Sequence, residues 1–380
     1  MDREIKAYSI EELTGLVLGL GQPRFRADQL FQWLYLHGAS DYEEMTNLPL
    51  ALRNSLAQRH PVHETQVVDR RVAQDGTRKY LLEFADGARV EAVAIPSFAD
   101  PEAGREPMQA FAQALAEETA SGASGASGAK RLTLCFSTQV GCPMACTFCA
   151  SGTEGLSRNL LPGEIVDQVF VAQKDFGARV GNLVAMGQGE PFLNYENTLA
   201  ALRILNNPKG LNIGARHITL STCGIISGVR RFSCEPEQFN LAVSLHSAQQ
   251  EVRNRLMPKL SVEPLHLLKD ALLNYVESTN RRVTLEYALI EGLNDTAAAF
   301  DSLLRFCSGL LCHVNLLPIN PIAEESAAAH DEVPRFSPSP AASILRWQTE
   351  LEKARVPVSL RQSRGLNIAG ACGQLKSQRA

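Results

Sequence analysis

Cys142, Cys146 and Cys149 crowd into one short stretch, spaced C-x3-C-x2-C. Thiolates at that spacing on one loop can each hold an iron of a cubane iron–sulfur cluster and leave the fourth iron open. Structural zinc is the alternative. It prefers four protein ligands, commonly two C-x2-C pairs, and no second pair or Cys/His knuckle follows nearby. A disulfide framework suits neither the length of 380 residues nor the lack of an apolar leader after Met1-Asp2-Arg3-Glu4. Two further residues invite chemistry. Glu91 sits inside an apolar run, where a carboxylate is either at the solvent face of an edge strand or buried and tuned for proton transfer. Cys372, in Gly370-Ala371-Cys372-Gly373, lies in a glycine-rich stretch suited to a mobile loop, where a lone thiol is ordinarily inert and buried.

The composition, 45% hydrophobic and 21% charged, is that of an ordinary globular chain. No apolar run is long enough to span a membrane, so no membrane association is expected, and a reducing cytoplasmic location is the default. A formal charge of −4 gives no overall pull toward nucleic acid. The segment from Lys353 to Ala380 is locally basic, with six Lys or Arg and no acidic residue, and could face phosphate.

The elements that must position these residues follow from periodicity. Helix-like spacing covers Ile10 to Leu18, Arg26 to His37 and Leu48 to Arg59, with Ser9 and Glu12 forming a capping box. In the second helix Leu30, Phe31, Leu34 and Tyr35 form an apolar face, and the basic–aromatic mix around it also allows RNA contact. Lys79 to Phe84 and Ala88 to Ile95 flank the turn Asp86-Gly87 as a hairpin, with Glu91 on the face of Val93 and Ile95. Phe111 to Thr119 could form a short helix, and the Ser-Gly-Ala repeats of 121–129 read as a flexible linker.

From Arg131 strands and helices alternate. Strands are expected at Arg131–Phe136, Asn182–Met186, His217–Ser221, Phe239–Leu245, Arg282–Leu289 and His313–Ile319. Helices are expected at Gly163–Phe176, Tyr195–Asn206, Pro264–Thr279, Thr296–Ser308 and Ala341–Ala354, the last followed by a short strand at Val356–Leu360. The pattern predicts an α/β fold with a partial (β/α)6 barrel over residues 131–380, after a helical accessory domain (1–65), a β-hairpin extension (66–99) and an insertion (100–130). Polar clusters fall at strand ends, where barrels place their sites: the cysteines, Gly187 to Pro191, Ser221 to Gly224, Ser244 to Ser247, and Asn320-Pro321.

Together these motifs resemble the radical S-adenosylmethionine (SAM) superfamily and, more narrowly, the RlmN/Cfr family of RNA methyltransferases. The narrower resemblance rests on Val140-Gly141-Cys142, Phe148-Cys149-Ala150, Arg158-Asn159-Leu160, Met186 to Pro191, Ser221-Thr222, Ser244-Leu245-His246 and Ala371 to Leu375. It implies that Cys142, Cys146 and Cys149 hold a [4Fe-4S] cluster whose open iron chelates SAM. Gly189, Glu190, Ser221, Ser244, Leu245, His246 and Asn320 would be the other SAM contacts. It also implies two SAM per turnover. One methylates Cys372, and the other yields the radical that activates the S-methyl group for attack on adenine. A protein–RNA crosslink is then resolved by Glu91 as proton acceptor and by Cys135 through a transient disulfide.

The implied partners are 23S rRNA and tRNA, with a one-electron reductant such as flavodoxin or ferredoxin, and the protein is expected to act as a monomer. Ser247 is more like the carbon-8 (Cfr) branch, whereas Arg158-Asn159-Leu160, Glu190-Pro191 and Asn320-Pro321 favour the carbon-2 (RlmN) branch. The rival readings are a radical SAM enzyme for a small molecule and a zinc-stabilised, non-catalytic RNA-binding protein.

Overall fold

The computed structural model describes residues 4–97, 131–153, 155–320 and 336–376. The expected linker and its short helix, Pro321, and the extreme C-terminus lie outside the described residues. Three helices open the chain: α1 (Ile10–Gly19), α2 (Phe25–Tyr35) and α3 (Leu50–Arg59). The capping box at Ser9 and Glu12 forms as expected. On α2 the Leu30, Phe31, Leu34 and Tyr35 side chains are buried, in a core continuous with that of the barrel. That continuity is secured by Lys6, whose Nζ meets Asp167 at 2.9 Å in a buried ion pair.

Next come β1 (Gln66–Val72), β2 (Arg78–Glu83), β3 (Arg89–Ser97) and β4 (Arg131–Cys135). β1 was not foreseen, because Gln66-Val67-Val68-Asp69-Arg70-Arg71-Val72 is exposed on both faces and lacks a two-residue alternation. β1, β2, β3 and β4 pair antiparallel in turn. A separate small hairpin joins β5 (Gln139–Gly141) to β6 (Leu156–Asn159) around the cysteine loop.

The β/α series follows: α4 (Pro162–Phe176), β7 (Val180–Ala185), α5 (Tyr195–Asn206), β8 (Ile218–Thr222), α6 (Ile226–Phe232) and β9 (Asn240–Ser244). It continues with α7 (Gln250–Leu256), α8 (Leu265–Thr279), β10 (Val283–Leu289), α9 (Ala297–Cys307), β11 (Cys312–Pro318), α10 (Ala341–Lys353) and β12 (Val358–Leu360). The expected boundaries are close to those observed. The short helices α6 and α7 were missed, being too brief for a periodic signal.

One ten-stranded sheet runs β1-β2-β3-β4-β7-β8-β9-β10-β11-β12, so the barrel stays open, with β1 and β12 as its edges. From β4 to β12 every neighbouring pair is parallel. Parallel strands covered by helices bury both faces, which explains Leu183, Leu220, Leu241, Val243, Leu285 and Leu316 in the core. The C-terminal ends of these strands share one rim, and the polar clusters lie there.

Candidate active site

Gly141 delivers the cysteine loop into that rim. Its φ of 76° is left-handed, and an added Cβ would stand 1.9 Å from the Gly155 carbonyl, so only glycine lets β5 and the chain before β6 close at this point. Cys142, Cys146 and Cys149 then line one cavity with Gly189, Glu190, Ser221, Ser244, His246 and Asn320, the residues expected there from five different strand ends. Leu245 does not join them. Its side chain is fully buried in the main core, just past the end of β9, while Ser244 and His246 line the cavity.

The electrostatics of the thiols suit a multi-iron group. Burial pushes Cys142 up to about 12, with Cys149 and Glu190 adding to the rise. Burial and the neighbouring thiols likewise raise Cys146 and Cys149. Without a bound cation the three thiols stay protonated; with irons to take their charge they become ligands. Among the described residues, no group of three or more His, Cys, Asp or Glu is arranged to hold a metal ion by itself. A cubane gives each thiolate its own iron, so its ligands need less convergence than those of one zinc. A buried guanidinium with idle donors, Arg253, lies against the same loop and fits a group of net negative charge.

The wall built by Gly189, Glu190 and His246 is held by backbone and side-chain hydrogen bonds. Gly189 has φ 103°, and a Cβ there would meet Gln139 at 2.7 Å. Gln139 Oε1 in turn accepts the Glu190 N–H at 2.8 Å, while its Nε2 donates to Asn159, so the Asn159 motif acts as a brace. The Glu190 carboxylate accepts the N–H groups of Phe192 at 3.0 Å and Cys223 at 2.7 Å. His246 adopts φ 52°, and its Nδ1 accepts the Ala288 N–H at 3.0 Å, which leaves the proton on Nε2. Burial, helped by Arg253, drives its pKa down to about 3, so the ring stays neutral and packs edge-on to Phe148.

Cys372 lines this cavity and also an adjoining one that contains Cys135. Its loop is stitched to the cysteine loop rather than free: Ala150 N–H donates to Gly373 at 2.7 Å and Ser151 Oγ to Leu375 at 2.6 Å. Asn320 Nδ2 donates to the Cys372 carbonyl at 3.0 Å. Burial, then the Cys372 thiol, push Cys135 up to about 12, against the pull of Arg361.

The strand register relates Glu91 to Cys135 across the insertion between them. Cys135 pairs with Val93 across β3 and β4, so Glu91, two residues along β3, lies on the same face. Val93, Cys135 and Leu375 form one small apolar cluster there. Glu91 is buried and lines neither cavity. Burial raises its pKa and the Lys79 ammonium, 2.8 Å away, opposes the rise.

Two cavity residues, Arg361 and Glu286, and the buried Arg253 beside the cysteine loop escaped the sequence reading. Arg361, at the end of β12, lies in the field of Cys372, Glu286 and Cys135, which raise its pKa. Glu286, buried in β10, accepts from Asn315 Nδ2 at 3.0 Å; a carboxylate in a buried parallel strand was the available signal. Arg253 had no signal beyond its charge. The basic C-terminal segment is thus not simply a phosphate-facing tail, since Arg361 turns inward. Ser247 is fully buried and its Oγ accepts the Gln249 N–H at 3.1 Å, leading into α7. It does not line the cavity.

Residues 4–62 match the ribosomal RNA large subunit methyltransferase N-terminal domain, and residues 136–304 match the radical SAM superfamily. The chain is 41% identical to the probable dual-specificity RNA methyltransferase RlmN of Symbiobacterium thermophilum, over 98% of this chain and 91% of that protein. It is 42% identical to the protein of the same name from Synechococcus elongatus, over 98% and 93%. A crystal structure of a radical SAM methyltransferase from Sphaerobacter thermophilus superposes with a TM-score of 0.83 at 38% identity, covering 98% of this chain and 99% of that one.

Proposed function

The chain belongs to the RlmN family of radical SAM RNA methyltransferases, and we propose that it methylates carbon 2 of an adenine in 23S rRNA and in tRNA. The observation that carries this reading is the position of Cys372, on the wall of the cavity that holds the three cluster thiols and next to the cavity of Cys135. A ring carbon of adenine is electrophilic and a poor match for the methyl cation equivalent of SAM, so the methyl group must first be lodged on a carrier. When bound, the [4Fe-4S] cluster and SAM supply that methyl group and, from a second SAM, a one-electron route to a 5′-deoxyadenosyl radical.

In this reading Cys142, Cys146 and Cys149 hold the cluster, and the Gly189-Glu190 turn, Ser221, Ser244, His246 and Asn320 seat SAM. Leu245 contributes through its backbone only. The Cys372 sulfur accepts the methyl group, and the chain's hydrogen bonds from Ala150, Ser151 and Asn320 hold it at the cavity. Loss of a hydrogen atom from the S-methyl carbon allows that carbon to join the adenine, which ties the RNA to Cys372. The adduct radical returns one electron to the external one-electron carrier, and Glu91 takes the ring proton after exchanging its contact with the C-terminal loop for one with substrate. Attack of the Cys135 thiol on the Cys372 sulfur forms a disulfide and frees the methylated base. The electron enters from an external carrier such as flavodoxin or ferredoxin. The target base must leave its stack to reach the rim, which favours a loop.

The test is nucleoside analysis of 23S rRNA and tRNA from cells with and without this chain. The reading expects 2-methyladenosine to depend on it in both. A product of 8-methyladenosine, or no RNA product, would overturn it.

A further inference from the structure

We infer that Arg253 is the buried countercharge of the iron–sulfur cluster and that its unbonded guanidinium donors raise the cluster's reduction potential. The inference rests on the cluster assignment above. Arg253 lies on α7, and none of its surface reaches solvent. Its Nη2 donates to the Cys223 carbonyl at 2.5 Å, whereas Nε and Nη1 have no partner. Burying a cation with idle donors is strongly unfavourable unless an anion is supplied. Glu263, the acidic group that acts on it, reaches it only through space, its Oε2 accepting the Ile226 N–H at 3.3 Å instead.

The anion that fits comes with the cofactor. Thr147, between Cys146 and Cys149, donates its N–H to the Leu256 carbonyl at 2.9 Å and its hydroxyl to the same oxygen at 3.2 Å. α7 is therefore fastened to the thiol loop, and Arg253 sits in the field of Cys146. Gly224, at φ 99°, leaves the guanidinium its room, since a Cβ there would stand 2.9 Å from Nη2. Met144, Leu256, Met257 and Leu260 make the surroundings apolar, so little screens the charge.

A [4Fe-4S] core with three thiolates carries a net charge of roughly −1, and roughly −2 after reduction. A fixed cation and N–H donors beside it favour the more negative state. The electron comes from the external one-electron carrier, and no protein bond is made or broken.

The test compares anaerobically reconstituted full-length wild type, R253K and R253Q by iron and sulfide content and by EPR-monitored redox titration. Wild-type iron and sulfide content tests the cluster assignment by itself. The expected result is a reduction equilibrium at least tenfold less favourable in R253Q, a midpoint ~59 mV lower for one electron, with R253K closer to wild type. R253Q that folds as apoprotein but takes up no cluster supports the same role. A potential in R253Q unchanged from wild type overturns it. Heat unfolding of the apoproteins separates a purely structural role. A charge without a partner burdens the apo state, so apo R253M should unfold at or above the wild-type temperature. A large loss of apo stability would assign Arg253 to the fold and overturn the inference.

Discussion

Glu91 and Lys376 are joined by a hydrogen bond in which the Lys376 N–H donates to Glu91 Oε2 at 2.9 Å, tying β3 to the chain just beyond Cys372. The other carboxylate oxygen meets Lys79 Nζ at 2.8 Å, and that ammonium also donates to the Ala369 carbonyl. Both sides of the C-terminal loop are thus anchored on one buried ion pair.

Lys79→Met should therefore destabilise the protein by about 3–5 kcal/mol, because it leaves a buried carboxylate unpaired. The double variant Lys79→Met/Glu91→Gln should recover much of the loss. Denaturant unfolding checks this, and a double variant no better than Lys79→Met would contradict it.

Glu4 predicts a pH dependence. Burial, with Asp167 adding, raises its carboxyl from 4.5 to about 7, against the pull of Lys6. Between those values the folded chain keeps a proton that the unfolded chain has lost, so stability falls as pH rises and the penalty is complete above about 7. Glu4→Gln should remove that slope and be the more stable form at pH 8, by at most about 3 kcal/mol. Unfolding free energies at pH 5 and pH 8 decide it, and parallel pH profiles would refute it.

Leu245→Ala separates packing from ligand contact. With the side chain fully buried in the main core, the substitution should cost about 2–5 kcal/mol of stability. SAM affinity of the loaded, folded variant should stay within a fewfold of wild type by equilibrium binding. A selective loss of SAM affinity at full stability would restore its side chain to the site.

The barrel was legible because apolar runs bounded by glycine and polar clusters alternate with helical periods, and the rim followed from where those clusters fall. β1 was not legible, since a strand exposed on both faces has no pattern to show. The relation of Glu91 to Cys135 depends on the Val93–Cys135 register, which no local signal specifies across the residues between them. Arg361, Glu286 and Arg253 were missed for a similar reason: each looks like an ordinary charge until the fold turns it inward. Leu245 shows the converse, a motif residue whose neighbours face the cavity while it faces the core.

The central claim is that Cys372 carries the methyl group. Wild type, Cys372→Ala and Cys135→Ala should be loaded anaerobically with methyl-labelled SAM, given 23S rRNA fragments, and followed by mass spectrometry of peptide and nucleosides. The account predicts label on Cys372 before it appears in 2-methyladenosine, no RNA product from Cys372→Ala, and a persistent protein–RNA adduct with Cys135→Ala. Labelled methyladenosine formed by Cys372→Ala at the wild-type rate would contradict it.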